Sequence, residues 1–284
     1  MKSIKKAWYF ISVLVILGLG VLGYAYFIEP YRFIVNNQTL KVPHWSRELN
    51  GFKIVAVSDI HGGSNSVTEA RLQFLTEQIN AQNPDVIVLL GDYVSQTSGK
   101  LNSDLKMPIE TIVENMKGLK SKYGVFGVIG NHDWWYDEKK VRAEFESVGF
   151  KVLENETASF VANGKTVTIL GIEDFWKREK VDVKKVFDNV QPPENIIGIT
   201  HNPDSFDQTS EAISLLLAGH THGGQVWIPF IGAPLPVAKR EYTAGHILKD
   251  GRNLFVTVGF GTTGPAIRFG VPPEIAVITL NSQD

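Results

Sequence analysis

Five short apolar runs in this chain each end abruptly on a polar cluster, and that recurrence restricts the fold more than any other feature. Residues 53–57 (KIVAV) lead into Ser58-Asp59-Ile60-His61, and 86–90 (VIVLL) into Gly91-Asp92. Residues 125–129 (VFGVI) lead into Gly130-Asn131-His132-Asp133, 196–200 (IIGIT) into His201, and 214–218 (SLLLA) into Gly219-His220-Thr221-His222. Short apolar runs closed by turn residues read as buried strands. Helical patterns separate the first three: 67–82, with Leu72, Leu75 and Ile79 on one face and Asn83-Pro84 as its stop, then 105–121 and 138–148. Later runs at 159–162 and 167–170 flank an Asn163-Gly164 turn, 183–190 reads as helix, and 254–258 and 275–280 read as strands. Strands alternating with helices early, then mostly strands, predict a layered α/β domain. Ligands of open α/β sheets bind beyond the carboxyl ends of the strands, where these clusters lie.

Beside Asp133, the clusters gather the two carboxylates of Asp59 and Asp92, an amide and five imidazoles. The chain has no cysteine, so a bound metal would use oxygen and imidazole nitrogen, a donor set that suits divalent manganese, iron or zinc. Two metals about 3.5–4 Å apart clamp the attacking and leaving oxygens of a phosphoryl transfer. Such a pair needs a bridging carboxylate, and Asp92 on its tight Gly-Asp turn is placed for it. Asp59-x-His61 and His220-x-His222 carry two donors each at i, i+2 just past a strand end. A metal-bound or bridging hydroxide is the expected nucleophile. His132, beside an Asn131 whose carbonyl oxygen can face a metal, is the candidate to protonate the leaving oxygen.

Residues 7–28 carry no charge, follow Lys2, Lys5 and Lys6, and have aromatics at both ends: Trp8 and Tyr9, then Tyr24, Tyr26 and Phe27. About 20 apolar residues span a bilayer core, and aromatics favour its interfaces. The expected organisation is a membrane anchor over 1–30, a connector over 31–50 and a catalytic domain over 51–284. The rival is a signal segment cut near Gly23-Tyr24-Ala25. The lysines should stay cytoplasmic, leaving the catalytic domain outside. The net charge of −2 argues against nucleic-acid binding by bulk charge.

The order D-x-H, G-D, G-N-H-D, H, G-H-x-H resembles the calcineurin-like metallophosphoesterase superfamily. SDIHGG, THNPD, GHTHGGQ with the stretch 226–236, and the ending FGTTGPAIRFGVPPEI resemble its membrane-associated YkuE/YaeI-like branch. The resemblance covers residues 50–284 and implies a four-layer αββα sandwich preceded by one transmembrane helix. It implies two divalent ions, Mn²⁺ foremost, with Zn²⁺, Fe²⁺ or Mg²⁺ as substitutes. Asp59, His61 and His222 would hold the first ion, Asn131, His201 and His220 the second, and Asp92 would bridge. His132 would act as acid and Asp133 would orient it. The run Gly91-Asp92-Tyr93-Val94-Ser95-Gln96 lacks the second Asp and the Arg of the protein phosphatase pattern G-D-x-x-D-R. That counts against a phosphoprotein substrate, and leaves the partner of His132 open between Asp133 and none.

The implied activity is hydrolysis of a phosphodiester or pyrophosphate bond in a small or lipid-linked substrate. The alternatives are a UDP-2,3-diacylglucosamine pyrophosphatase and a non-catalytic metal-binding membrane protein. Outside the motifs, His44 and His246 read as ordinary. Asp174, in Glu173-Asp174-Phe175-Trp176, borders the site or caps a solvated turn. Arg268 reads either as a phosphate ligand or as a partner of Glu274. Trp227, Phe230 and Ile231 read as core, with an apolar lip facing lipid as the alternative.

Overall fold

The computed structural model describes residues 2–98, 100–174, 190, 194–234 and 238–283. Two six-stranded sheets form its centre. Strands β1 (Ile34–Val42), β2 (Phe52–Val57), β3 (Val86–Leu89), β4 (Val125–Gly127), β5 (Lys151–Val152) and β12 (Glu274–Ser282) make the first, in the order β1-β12-β2-β3-β4-β5. Strands β6 (Glu156–Ala162), β7 (Lys165–Ile172), β8 (Ile196–Thr200), β9 (Ile213–Ala218), β10 (Gly245–Lys249) and β11 (Arg252–Val256) make the second, in the order β10-β11-β9-β8-β7-β6. β2, β3, β4 and β5 run parallel, as do β7, β8, β9 and β11.

Period-two alternation decides which side chains go where. Ile54, Ala56, Val86, Val88, Ala276 and Ile278 meet Val167, Ile169, Ile197, Ile199, Leu215 and Leu217 between the sheets. Their neighbours Val55, Val57, Ile87, Leu89, Ile275 and Val277 face the helices α2 (Glu69–Ala81), α3 (Ile109–Met116) and α4 (Asn131–Ser147). Full burial of each valine, leucine or isoleucine among them contributes roughly 1.5–3 kcal/mol. The outer face of the second sheet packs Leu170, Ile172, Leu216 and Val256 against Phe206 and Tyr242. Phe206 and Tyr242 sit on 3-10 turns. The helix expected over 183–190 falls almost wholly outside the described residues.

Three expectations shift. The connector over 31–50 contains β1, which pairs with β12 along its whole length, so the folded body begins before residue 51. The helix expected over 105–121 shortens to α3, because Pro108 sets its first turn. The helix expected from 138 starts at Asn131, with extended backbone at Asp137 kinking it.

The N-terminal helix α1 (Lys2–Phe27) is about 39 Å long at 1.5 Å per residue. Its apolar window has mean hydropathy 2.3 and is only 6% buried, so it is not a core helix; it is long and apolar enough to cross a membrane. Its far end is built into the body. The Arg268 N–H donates to the Ala25 carbonyl at 2.9 Å, Asn65 Nδ2 donates to the Tyr26 carbonyl at 2.8 Å, and the Tyr24 ring stands edge-on to Phe269.

Candidate metal centre

The polar clusters turn sharply as they leave their strands. Asp59, His61, Asp92, His220 and His222 all have left-handed backbone, with φ from 47° to 69°. That conformation costs an L-residue roughly 1–2 kcal/mol, so the surrounding structure holds considerable strain at the strand ends of both sheets. Two glycines allow the loops to close on each other. A Cβ on Gly130 would strike the Asp92 backbone and carboxylate, and one on Gly219 would strike Ser58.

Two groups of donors result. In the first, His222 Nε2 lies 3.2 Å from Asp59 Oδ1 and 3.2 Å from His61 Nε2. In the second, His201 Nε2 lies 3.3 Å from Asp92 Oδ2, 3.2 Å from Asn131 Oδ1 and 3.2 Å from His220 Nδ1. Asp92 Oδ2 is also 3.6 Å from His61 Nε2, so one carboxylate oxygen stands between the groups. His61, Asp92 and His132 form a further grouping with donor atoms close enough to share an ion.

The residues fit cations. The Val94 carbonyl can only accept, so His61 Nδ1 carries the hydrogen at 3.1 Å and Nε2 is left as a lone pair. The Leu90 carbonyl likewise accepts from His201 Nδ1 at 2.7 Å, so Nε2 is the nitrogen that faces the centre. Asp59 Oδ2 accepts from the His220 N–H at 2.9 Å, while the buried Oδ1 meets no hydrogen-bond donor. Nitrogen lone pairs and carboxylate oxygens converging with too few hydrogens are what a bound cation relieves.

The electrostatics agree. Burial takes His61 down to about 3 and holds His222 well below the ordinary imidazole range, helped by His61 and Arg268, so both are neutral at neutral pH. Burial pushes Asp59 up to about 6. Burial also opposes ionisation of Asp92, yet the imidazoles of His201, His132 and His61 hold it well below the carboxylate range. His201 is carried well above its ordinary value; burial works against this, and the Asp92, Asp59 and Asp174 carboxylates outweigh it. Asp174 is thus a buried neighbour of the centre, while Phe175 and Trp176 lie outside the described residues.

His132 stands at the rim. Its backbone N–H donates to Asp92 Oδ1 at 2.8 Å, its Nδ1 meets Gln96 Oε1 at 2.9 Å, and its Nε2 lies 3.4 Å from Thr263 Oγ1. Beside it opens a cleft of about 320 Å³, lined by Gln96, Lys100, Lys106, Trp135 and Thr263 among others.

The expected role of Asp133 is corrected. Its carboxylate does not touch the His132 ring. It accepts four backbone N–H groups, from Asp92 (2.8 Å), Gly130 (3.0 Å), Tyr93 (2.8 Å) and Val94 (3.1 Å), and so clamps the Gly91-Asp92 turn against the start of α4. Burial and the Asp92 charge push it up to about 7, against donors that need it ionised. The partner of His132 is Gln96, a residue that stood in the sequence only as a departure from a pattern.

Arg268 fits neither expected role. It is fully buried and donates to the carbonyls of Val258, Gly259, Gly261 and Val271, pinning the loop behind Asp59. His246 pairs with Asn253 across β10 and β11. Trp227, Phe230 and Ile231, expected in the core, are exposed.

The calcineurin-like phosphoesterase family matches residues 52–224, which hold all five clusters. The metallophosphoesterase YkuE of Bacillus subtilis (strain 168) is 31% identical over 271 residues, 93% of this chain and 91% of its own. A transmembrane protein with metallophosphoesterase domain from Danio rerio is 27% identical over 95% of this chain and 62% of its own. Among solved structures, Haemophilus influenzae NAD nucleotidase aligns with a TM-score of 0.50 at 14% identity, covering 74% of this chain and 45% of that one. At that identity the likeness is one of fold.

Proposed function

The chain belongs to the calcineurin-like phosphoesterase family, and from that premise we propose a membrane-anchored, two-metal phosphoesterase that cleaves a phosphodiester or pyrophosphate bond. The observation carrying this reading is the position of Asp92 Oδ2, 3.6 Å from His61 Nε2 and 3.3 Å from His201 Nε2. Asp59, His61 and His222 would hold one ion, Asn131, His201 and His220 the other, and Asp92 would serve both. The ions, when bound, supply charge neutralisation at the phosphoryl oxygens and activation of water.

The chain's own residues do the rest. His132 reaches over the centre from the rim and delivers a proton to the departing oxygen, with Gln96 Oε1 fixing its Nδ1–H and so its ring. Asp133 positions the Asp92 turn. Lys100 and Lys106 in the adjoining cleft favour a leaving group that carries its own negative charge, as the phosphate released from a pyrophosphate does.

The end of α1 being tied to the body at Tyr24 and Ala25 supports an anchor that stays in place, since a cut after Ala25 would remove the Arg268–Ala25 bond and the Tyr24–Phe269 contact. The membrane relative in zebrafish supports the same reading. With the site held near a bilayer, a lipid-linked substrate is the expected class.

The test is a titration of the full chain, purified in detergent, with Mn²⁺, followed by turnover assays. Two equivalents bound, and hydrolysis of diesters or lipid-linked pyrophosphates in preference to phosphoproteins, are the predicted results. One equivalent would refute the pair, and preference for phosphoproteins would refute the substrate class.

A further inference from the structure

The loop that leaves the last metal-ligand cluster ends in a small apolar hairpin. The Ile228 N–H donates to the Gly232 carbonyl at 3.0 Å and the Gly232 N–H returns to the Ile228 carbonyl at 2.8 Å, with the Ile231 N–H also donating to Ile228. Pro229 and Phe230 form the tip. Phe230 is fully exposed and held at φ 68°, while Trp227 is 47% exposed and Ile231 64%. A large aromatic in left-handed backbone, with its ring in the open, is disfavoured twice in water. Nothing within the described fold covers it.

Two neighbours say what does. On one side, the Trp227 N–H donates to the Phe269 carbonyl at 2.7 Å, and the Phe269 ring meets Tyr24 of α1. The hairpin thus shares a footing with the end of α1, where Tyr24, Tyr26 and Phe27 make the interfacial aromatic belt of a spanning helix. On the other side, the preceding Gln225 side chain bonds both the N–H and the carbonyl of Thr263, at 2.8 Å each, and Thr263 borders His132.

We propose that the hairpin Ile228–Ile231 with Trp227 inserts into the lipid surface from which α1 emerges, so that the His132 side of the metal centre opens onto the bilayer. This rests on α1 being a membrane span. The composition fits an interfacial segment: tryptophan, phenylalanine, two isoleucines and proline, with no charge from 226 to 234. A hairpin also keeps its backbone groups bonded where no water can satisfy them. The consequence is access. A lipid-linked phosphoester would reach the centre from the membrane plane and keep its acyl chains in the bilayer.

The chain's lack of cysteine makes the test clean. Phe230→Cys, Leu17→Cys and Val161→Cys would each be labelled with an environment-sensitive fluorophore on the full chain. The proteins would then be reconstituted in phosphatidylcholine–phosphatidylglycerol vesicles carrying nitroxide lipids. Leu17 lies within α1, and Val161 is exposed next to the β6–β7 turn, at the opposite end of the second sheet from His201. Strong nitroxide quenching at 230 and at 17, with none at 161, is the expected result. A label at 230 that stays unquenched while the one at 17 is quenched overturns the hairpin proposal and leaves the anchor intact. If neither is quenched, the anchor reading fails too. A blue-shifted but unquenched label at 230 assigns the hairpin to a protein contact, which also overturns the proposal.

Discussion

Replacing His132 by alanine separates proton delivery from metal binding. The seven donors of the two main groups remain, so metal content should stay near wild type while turnover falls by about 10²–10⁴-fold, the usual contribution of a general acid. The loss should shrink on substrates with good leaving groups such as nitrophenyl esters; equal losses across a leaving-group series would remove His132 from that role. Asp133→Asn should act differently. An amide replaces one acceptor oxygen with a donor facing N–H groups, and each buried donor left unpaired costs about 1–3 kcal/mol. Lower thermal stability together with lost metal is the expected outcome, read by calorimetry and metal analysis. His201 adds a pH dependence. Its raised value means that metal must displace a proton there at neutral pH, so apparent affinity should weaken as pH falls and proton release should vanish well above that raised value. Calorimetric titrations in buffers of different ionisation enthalpy measure this directly. The convergence of these seven side chains was legible in the sequence because chemistry restricts their types and strand ends restrict their places. Gln96 and the clamp made by Asp133 were not, because both depend on how two loops cross, which no local spacing encodes.

At the scale of elements, the strand–turn junctions carry the function. Gly130 marks a tight one, where the start of α4 lies against the Asp92 turn, and Gly130→Ala should displace the Asp92 carboxylate that stands between the two donor groups. Loss of metal with retained secondary structure, by circular dichroism, is the expected pattern; unchanged metal content would show that the loops have room to separate. The central strands could be read from sequence because burial on both faces leaves an unbroken apolar run. β1 was hidden because it is an edge strand, with mixed residues such as Asn36, Asn37, Gln38 and Thr39 along it. The first turns of α4 were hidden for a related reason. Asn131, His132 and Asp133 are chosen there for ligation and hydrogen bonding, so the helical apolar period appears only after the kink at Asp137.

For the whole molecule, Phe269 links the end of α1 to the hairpin and Thr263 links the hairpin's base to His132, and on the proposed reading the orientation of α1 sets which compartment they serve. On the proposed reading of α1 as a span, Lys2, Lys5 and Lys6 before it would place the body outside the cytoplasm, so a reporter fused after Asp284 should be active only on the outer side; activity confined to the cytoplasm would reverse the assignment. The exposed hairpin reads as core in the sequence because local apolar composition does not distinguish an exposed apolar residue from an interior one. The claim on which the rest depends is that Asp92 joins two ions in one working centre. Its most direct test is metal content and turnover measured together on the wild-type chain and on Asp92→Asn. The account predicts two ions per wild-type chain, activity abolished by chelator and restored by metal, and joint loss of bound metal and turnover in the variant. Full activity of Asp92→Asn in metal-free buffer would contradict it.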